Sequence, residues 1–121
     1  MNMAKTILIT GGAGFVGKQV VRILSEQGLS LRLVVRRRNK NLVPAFASNC
    51  EIIETDDLFS ESVEWWADQC SGVDTVVHLA WYAEPGKYLQ SELNIDCLQG
   101  SLNLARGAIQ AGVCRFVGVG T

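Results

Sequence analysis

The chain has 121 residues, enough for one ordinary domain and too few for two. Apolar residues make up 48% of it and the formal net charge is -1, which argues against a disordered segment, a nucleic-acid-coating protein or a membrane-surface element and for a folded, soluble, cytoplasmic one. No apolar run reaches membrane-spanning length, and Cys50, Cys70, Cys97 and Cys114 show neither CxxC spacing nor a secretory context, so they read as buried free thiols rather than disulfides or metal ligands.

The first apolar run, residues 6–10, reads as a strand that passes directly into Gly11-Gly12-Ala13-Gly14-Phe15-Val16-Gly17. The glycines fit two registers, Gly12-x-Gly14-x-x-Gly17 and Gly11-x-x-Gly14-x-x-Gly17, and both leave bare backbone where a pyrophosphate has to come close. Val20, Val21, Ile23 and Leu24 then fall at helical spacing, predicting a helix over residues 14–27 that ends at Gly28. Its first N–H groups lack intrahelical partners and sit at the positive end of the helix dipole, a setting suited to an anion. A second strand over 30–36 completes a strand, glycine turn, helix and strand within about thirty residues, the size of one βαβ unit.

The one basic cluster, Arg36, Arg37, Arg38 and Lys40, leads into residues 37–48, which with Pro44 and the asparagines read as a loop with at most one or two helical turns. Beyond it come a strand at 50–55, a helix at 60–70 with Ser60 as N-cap and Trp65 and Trp66 partly buried, a strand at 75–80, a long helix at 88–111 and a strand at 115–119. Strands rich in Val, Ile and Leu, alternating with helices, predict an α/β, Rossmann-like, doubly wound parallel sheet as a single domain over 1–121. Right-handed crossovers give the strand order 3-2-1-4-5, with the ligand crevice at the carboxyl ends where the order reverses. Gly11 to Gly17, Arg36, Asp56 with Asp57, Ala80 with Trp81, and Gly120 with Thr121 all stand at such ends.

The glycine segment with Thr10, followed by Thr55-Asp56-Asp57-Leu58, Asp74-Thr75-Val76-Val77-His78-Leu79-Ala80, Gly100-Ser101-Leu102-Asn103-Leu104 and Gly112-Val113-Cys114-Arg115-Phe116-Val117, closely resembles the extended short-chain dehydrogenase/reductase family, its NAD-dependent epimerase/dehydratase group. The resemblance runs over essentially the whole chain. It implies a modified Rossmann fold, bound NAD or NADP, and commonly a nucleotide-sugar substrate undergoing 4-keto chemistry. Carried over, Gly11, Gly14, Phe15, Val16 and Gly17 would border the pyrophosphate, Asp57 and Leu58 the adenine, and Leu79, Ala80 and Trp81 the nicotinamide-side ribose. Read from the residues alone, Asp57 suits a helix cap and Leu79 and Ala80 a packed strand end. His78 reads as a structural member of the strand motif, with no second metal-ligating group near it in sequence.

Members of the family that use NAD carry an Asp near the end of the second strand, where this chain has Val35 followed by Arg36. A carboxylate there repels a 2′-phosphate and a guanidinium grips it in a forked geometry, so the pattern favours NADP over NAD; the alternative is that Arg36 to Arg38 solvate a loop. The family's Tyr-x-x-x-Lys pair is absent, because Tyr82 and Tyr88 are followed four residues later by Gly86 and Glu92. Thr121 aligns at or beside the family's catalytic Ser/Thr. The expectation is therefore the cofactor-binding part of a nucleotide-sugar epimerase, dehydratase or reductase, inactive alone and truncated relative to the family. A reductase of non-sugar ketones or a non-catalytic NADP-sensing domain are the alternatives. An exposed edge at the fifth strand and a partly covered long helix, which family members use in dimerisation, predict a homo-oligomer, with no nucleic-acid or membrane partner.

Overall fold

A computed structural model describes residues 5–42, 50–81 and 91–119. Five parallel strands, β1 (Thr6–Thr10), β2 (Ser30–Arg36), β3 (Cys50–Thr55), β4 (Thr75–His78) and β5 (Arg115–Gly118), form one sheet in the order β3-β2-β1-β4-β5. The order reverses between β1 and β4, whose register sets Thr10 beside His78. Helix α1 (Phe15–Glu26) covers one face of the sheet; α2 (Val63–Gln69) and α3 (Leu93–Ala111) cover the other.

Two-sided burial explains the apolar runs that mark the strands. Alternate residues of one strand enter different cores: Leu8, Val34 and Val76 pack with Trp66, Leu104 and Ala108 under α2 and α3, while Ile9, Leu33 and Val35 pack with Val21 of α1. Fully burying a side chain of Leu size contributes about 1.5–3 kcal/mol, so these interleaved sets account for the stability of the central strands. A polar residue, Arg32, ties the two layers at their edge. Its Nε donates to Glu51 Oε2 at 3.0 Å, and its Nη1 donates to the Gln69 and Ser71 carbonyls at 2.6 and 2.9 Å, satisfying carbonyls at the C-terminal end of α2.

The helix boundaries differ from the sequence reading where caps compete. Asp57 caps a 3-10 turn, Leu58–Ser60, so Ser60 lies inside that turn, and α2 instead starts after Ser62, whose hydroxyl accepts from Trp65 N at 3.0 Å. Helix α3 begins at Leu93, with the Ser91 hydroxyl accepting from its N–H, five residues later than the periodicity suggests; residues 82–90 lie outside those described. The arginine-rich stretch is a 3-10 helix, Arg37–Leu42, within the one or two turns allowed for it. Trp66 is fully buried and Trp65 half-buried, their rings meeting edge to face.

None of the four cysteines is in a disulfide, yet burial holds only for Cys70 and Cys97; Cys50 is half-buried and Cys114 exposed. Cys114 leads into β5, every residue of which is exposed because no described element covers that edge of the sheet. Ile95, Leu98, Leu102 and Ile109 of α3 are likewise exposed, as are Phe116 and Val117 of β5. Among the described residues no helix is long and apolar enough to cross a membrane.

Candidate functional site

A cavity of about 380 Å³ opens where the strand order reverses, lined by residues 11–14 of the glycine turn, Val34, Val35, Arg36, Asn39, Leu58, Phe59, Leu79, Ala80 and Trp81. Every wall is the carboxyl end of a strand or the turn after it, which is where a doubly wound sheet leaves its crevice.

Crowding explains two of the glycines. Gly11 has φ +75°, and a Cβ there would stand 2.7 Å from Ala80 N and 2.8 Å from the Leu79 carbonyl carbon. A Cβ on Gly17 would lie 1.9 Å from Gly11 O, so any side chain would drive α1 away from the end of β1. The turn is closed by Gly14 N donating to Gly11 O at 3.1 Å, and Gly14 then serves as N-cap of α1 without a side-chain cap. No acidic residue stands in the first turn. The leading N–H groups of α1 are thus left to an outside acceptor, and the dipole at that end favours an anion. Phe15 and Val16 lie on this first turn with exposed side chains, beside rather than within the cavity lining.

At one end of the cavity the side chains are charged. Arg36 ends β2, half-buried, and faces the cavity with Asn39, while Val35, 3% exposed, turns its side chain into the α1 core. Arg37, next in sequence, is engaged elsewhere, its Nη1 lying 3.0 Å from Asp56 Oδ1 and its Nε 3.7 Å from Glu54 Oε2. Among the described residues no ion pair engages Arg36.

The wall made by Leu58 and Phe59 depends on Asp57. Its Oδ1 accepts from Phe59 N at 3.0 Å and its Oδ2 from the Ser60 hydroxyl at 2.8 Å, so both oxygens serve the turn and Asp57 itself does not line the cavity. At the far end, Trp81 is held rather than loose. Its Nε1 donates to Asn94 Oδ1 at 2.8 Å and its ring meets Phe59 edge to face at 6.4 Å.

Beneath Leu79 and Ala80 lies a buried polar chain. The Thr10 hydroxyl, fully buried, accepts from Leu79 N at 3.1 Å and Ala80 N at 3.2 Å and lies 2.6 Å from His78 Nδ1; His78 Nε2 lies 2.7 Å from the Ser101 hydroxyl of α3. Burial, with the Phe59 and Phe116 rings each centred 6.2 Å away, pushes the His78 pKa down to about 4.

The structure therefore brings together Gly11, Gly14, Arg36, Leu58, Leu79, Ala80 and Trp81, with Gly17, Phe15 and Val16 in the adjoining first turn and Asp57 one step behind the wall. Thr121 lies outside the described residues. Sequence reasoning missed Phe59 and Asn39. Phe59 follows directly on the Asp57-Leu58 pair, and Asn39 belongs to the stretch read as a loop with at most one or two helical turns.

The model of the NAD dependent epimerase/dehydratase family matches residues 7–121. A 3-beta-hydroxysteroid dehydrogenase of Mycolicibacterium neoaurum is 31% identical over 118 residues, covering 92% of this chain and 30% of the relative. The structure of MoeE5 in complex with UDP-glucuronic acid and NAD is 32% identical with a TM-score of 0.72, covering 93% of this chain and 36% of that one. A putative epimerase from Bacteroides thetaiotaomicron, 22% identical with a TM-score of 0.75 over 98% of this chain and 48% of its own, shares the fold. The chain thus spans about a third of the length of the hydroxysteroid dehydrogenases and the noscapine synthase it matches.

Proposed function

The chain belongs to the NAD-dependent epimerase/dehydratase family, and from that footing we propose that it is the dinucleotide-binding part of a larger enzyme acting by hydride transfer on a nucleotide-sugar, with NADP preferred to NAD. One observation carries the reading: the glycine turn, packed too tightly for any side chain at Gly11 or Gly17, delivers an uncapped helix N-terminus to the mouth of the cavity at the sheet's reversal point. A pyrophosphate seated there takes up donor capacity that no side chain of α1 uses. Leu58 and Phe59 give an apolar wall for the adenine, and Leu79, Ala80 and Trp81 enclose the nicotinamide-side ribose. When bound, the nicotinamide supplies the hydride acceptor and donor; the residues here bind and orient it.

The preference for NADP rests on Arg36 and Val35. An apolar side chain stands where a carboxylate would read the ribose hydroxyls, and beside it a guanidinium that has no ion-pair partner among the described residues faces the cavity. Calorimetric titration of NADP⁺ and NAD⁺ into the chain and its Arg36→Ala variant tests this. Tighter binding of NADP⁺ that disappears in the variant supports it, and equal binding of the two dinucleotides counts against it.

The substrate class is the finer part of the proposal. The similarity to MoeE5, solved with UDP-glucuronic acid, favours a nucleotide-sugar; the similarity to a 3-beta-hydroxysteroid dehydrogenase favours a second reading, reduction or oxidation at a non-sugar carbon. Turnover assays on the longer protein with UDP-sugars and with hydroxysteroids separate the two.

A further inference from the structure

The chain Ser101, His78, Thr10 runs from the inner side of α3 to the floor of the cavity, and one arrangement of its hydrogen bonds gives the Thr10 hydroxyl and the His78 ring proton an acceptor each. The Thr10 hydroxyl accepts from Ala80 N and shares the Leu79 N–H with the Thr10 backbone carbonyl, which that N–H also reaches at 3.2 Å. His78 Nδ1, 2.6 Å away, is the one acceptor among the described contacts for the hydroxyl's own proton, and giving that proton a partner makes Nδ1 the unprotonated nitrogen. The ring's one proton is left on Nε2, which donates to the Ser101 hydroxyl at 2.7 Å. Next to Ser101 is Gly100, where a Cβ would stand 2.5 Å from Phe59 Cα; the missing side chain lets α3 lie close against the Phe59 backbone, one residue from the Ser101 hydroxyl that meets the ring.

We propose that His78 is a positioning residue: a neutral Nε2–H imidazole clamped between Ser101 and Thr10, it turns the Thr10 hydroxyl toward Leu79 and Ala80 and so sets the backbone that floors the nicotinamide side of the cavity. The role in binding rests on the dinucleotide reading above; the tautomer does not. Without the imidazole acceptor the Thr10 hydroxyl is free to rotate, and the Ala80 N–H loses its fixed acceptor while Leu79 keeps its bond to the Thr10 carbonyl. The ring is screened by Phe59 and Phe116 and the proposal requires it to stay uncharged at neutral pH.

His78 is the only histidine in the sequence, so ring nitrogen-15 spectra of the whole chain need no assignment. The expected spectrum shows a proton on Nε2 and a bare Nδ1 from about pH 8 to about pH 5.5; a proton on Nδ1, or an imidazolium at neutral pH, overturns the clamp. Calorimetry with NADP⁺ then reads the positioning role. Ser101→Ala and Thr10→Val are expected to weaken binding about three- to tenfold each, the value of one ordinary hydrogen bond, with Thr10→Ser restoring it. His78→Phe tests the ring directly, and Ser101→Ala keeps the test standing if that variant does not fold. Variants that melt earlier yet bind NADP⁺ unchanged reduce the clamp to a structural tie and overturn the proposal. If the unaltered chain binds neither dinucleotide, the functional reading and the positioning role fall together while the tautomer stands as measured.

Discussion

The two ends of the cavity are built on opposite principles. At the β2 end, Arg36 and Asn39 are partly exposed side chains facing the opening, and what they recognise is set by charge and reach. At the β4 end, Leu79 and Ala80 present backbone whose course is set from below by a fully buried Thr10 and a His78 that is 7% exposed. Discrimination between ligands belongs to the first end, because exposed charges are read against a specific phosphate. Precision belongs to the second, because buried hydrogen bonds set the backbone there. Substitutions at the first should change which dinucleotide binds, and substitutions at the second should change how well any of them does.

The hinge between the two ends is the glycine turn, and the largest effect is expected there. Gly17→Ala places a methyl group 1.9 Å from Gly11 O, so the chain must move apart at the point both ends share. Calorimetry should find no measurable binding of either dinucleotide; retained binding would show that the turn tolerates rearrangement and is not the pivot. The next effect is a pH dependence confined to the β4 end. His78 has its pKa lowered from 6.5 to about 4, so the unfolded chain takes up a proton that the folded one refuses. The stabilisation is complete above pH 6.5 and is lost as pH falls toward 4, up to about 3 kcal/mol. Urea unfolding across this range, with the His78→Gln variant subtracted to remove the contribution of carboxylates, should show that loss; a flat difference would contradict it.

Smaller effects mark the β2 end. Arg36→Ala should lower NADP⁺ affinity by about 1.5–3 kcal/mol, roughly ten- to hundredfold, and leave NAD⁺ nearly unchanged, as titration of both will tell. A matching loss for the two dinucleotides would erase the distinction between the ends. Smallest is Asp57→Ala, which removes the cap of the Leu58–Ser60 turn and should cost about 1 kcal/mol in thermal or urea unfolding. Because both its oxygens serve the turn, affinity should fall less than at Arg36.

Legibility in the sequence follows the same division. Strand order and the glycine turn were readable because two-sided burial writes continuous apolar runs and because close backbone approach leaves only glycine. Arg36 was readable as a charge at a strand end. The β4 end was not: residues 75–80 read as one strand, whereas β4 stops at His78, Leu79 N dividing its bond between the Thr10 carbonyl and hydroxyl and Ala80 N going to the hydroxyl alone. That link depends on the Thr10 and His78 register and on the approach of α3 at Gly100, which are properties of the folded pairing and not of any local pattern. Competing caps hid the start of α2 in a similar way. Asp57, Ser60 and Ser62 are all good capping residues, and only the folded turn decides between them.

The central claim is that a dinucleotide lies across both ends with its pyrophosphate on the first turn of α1. Amide nitrogen-15 spectra of the chain titrated with NADP⁺ test it most directly. The account predicts that the amides of residues 12–17 shift most, together with Arg36 and Leu79 to Trp81, while those of β5 stay in place. Saturable binding that leaves residues 12–17 unmoved would contradict it.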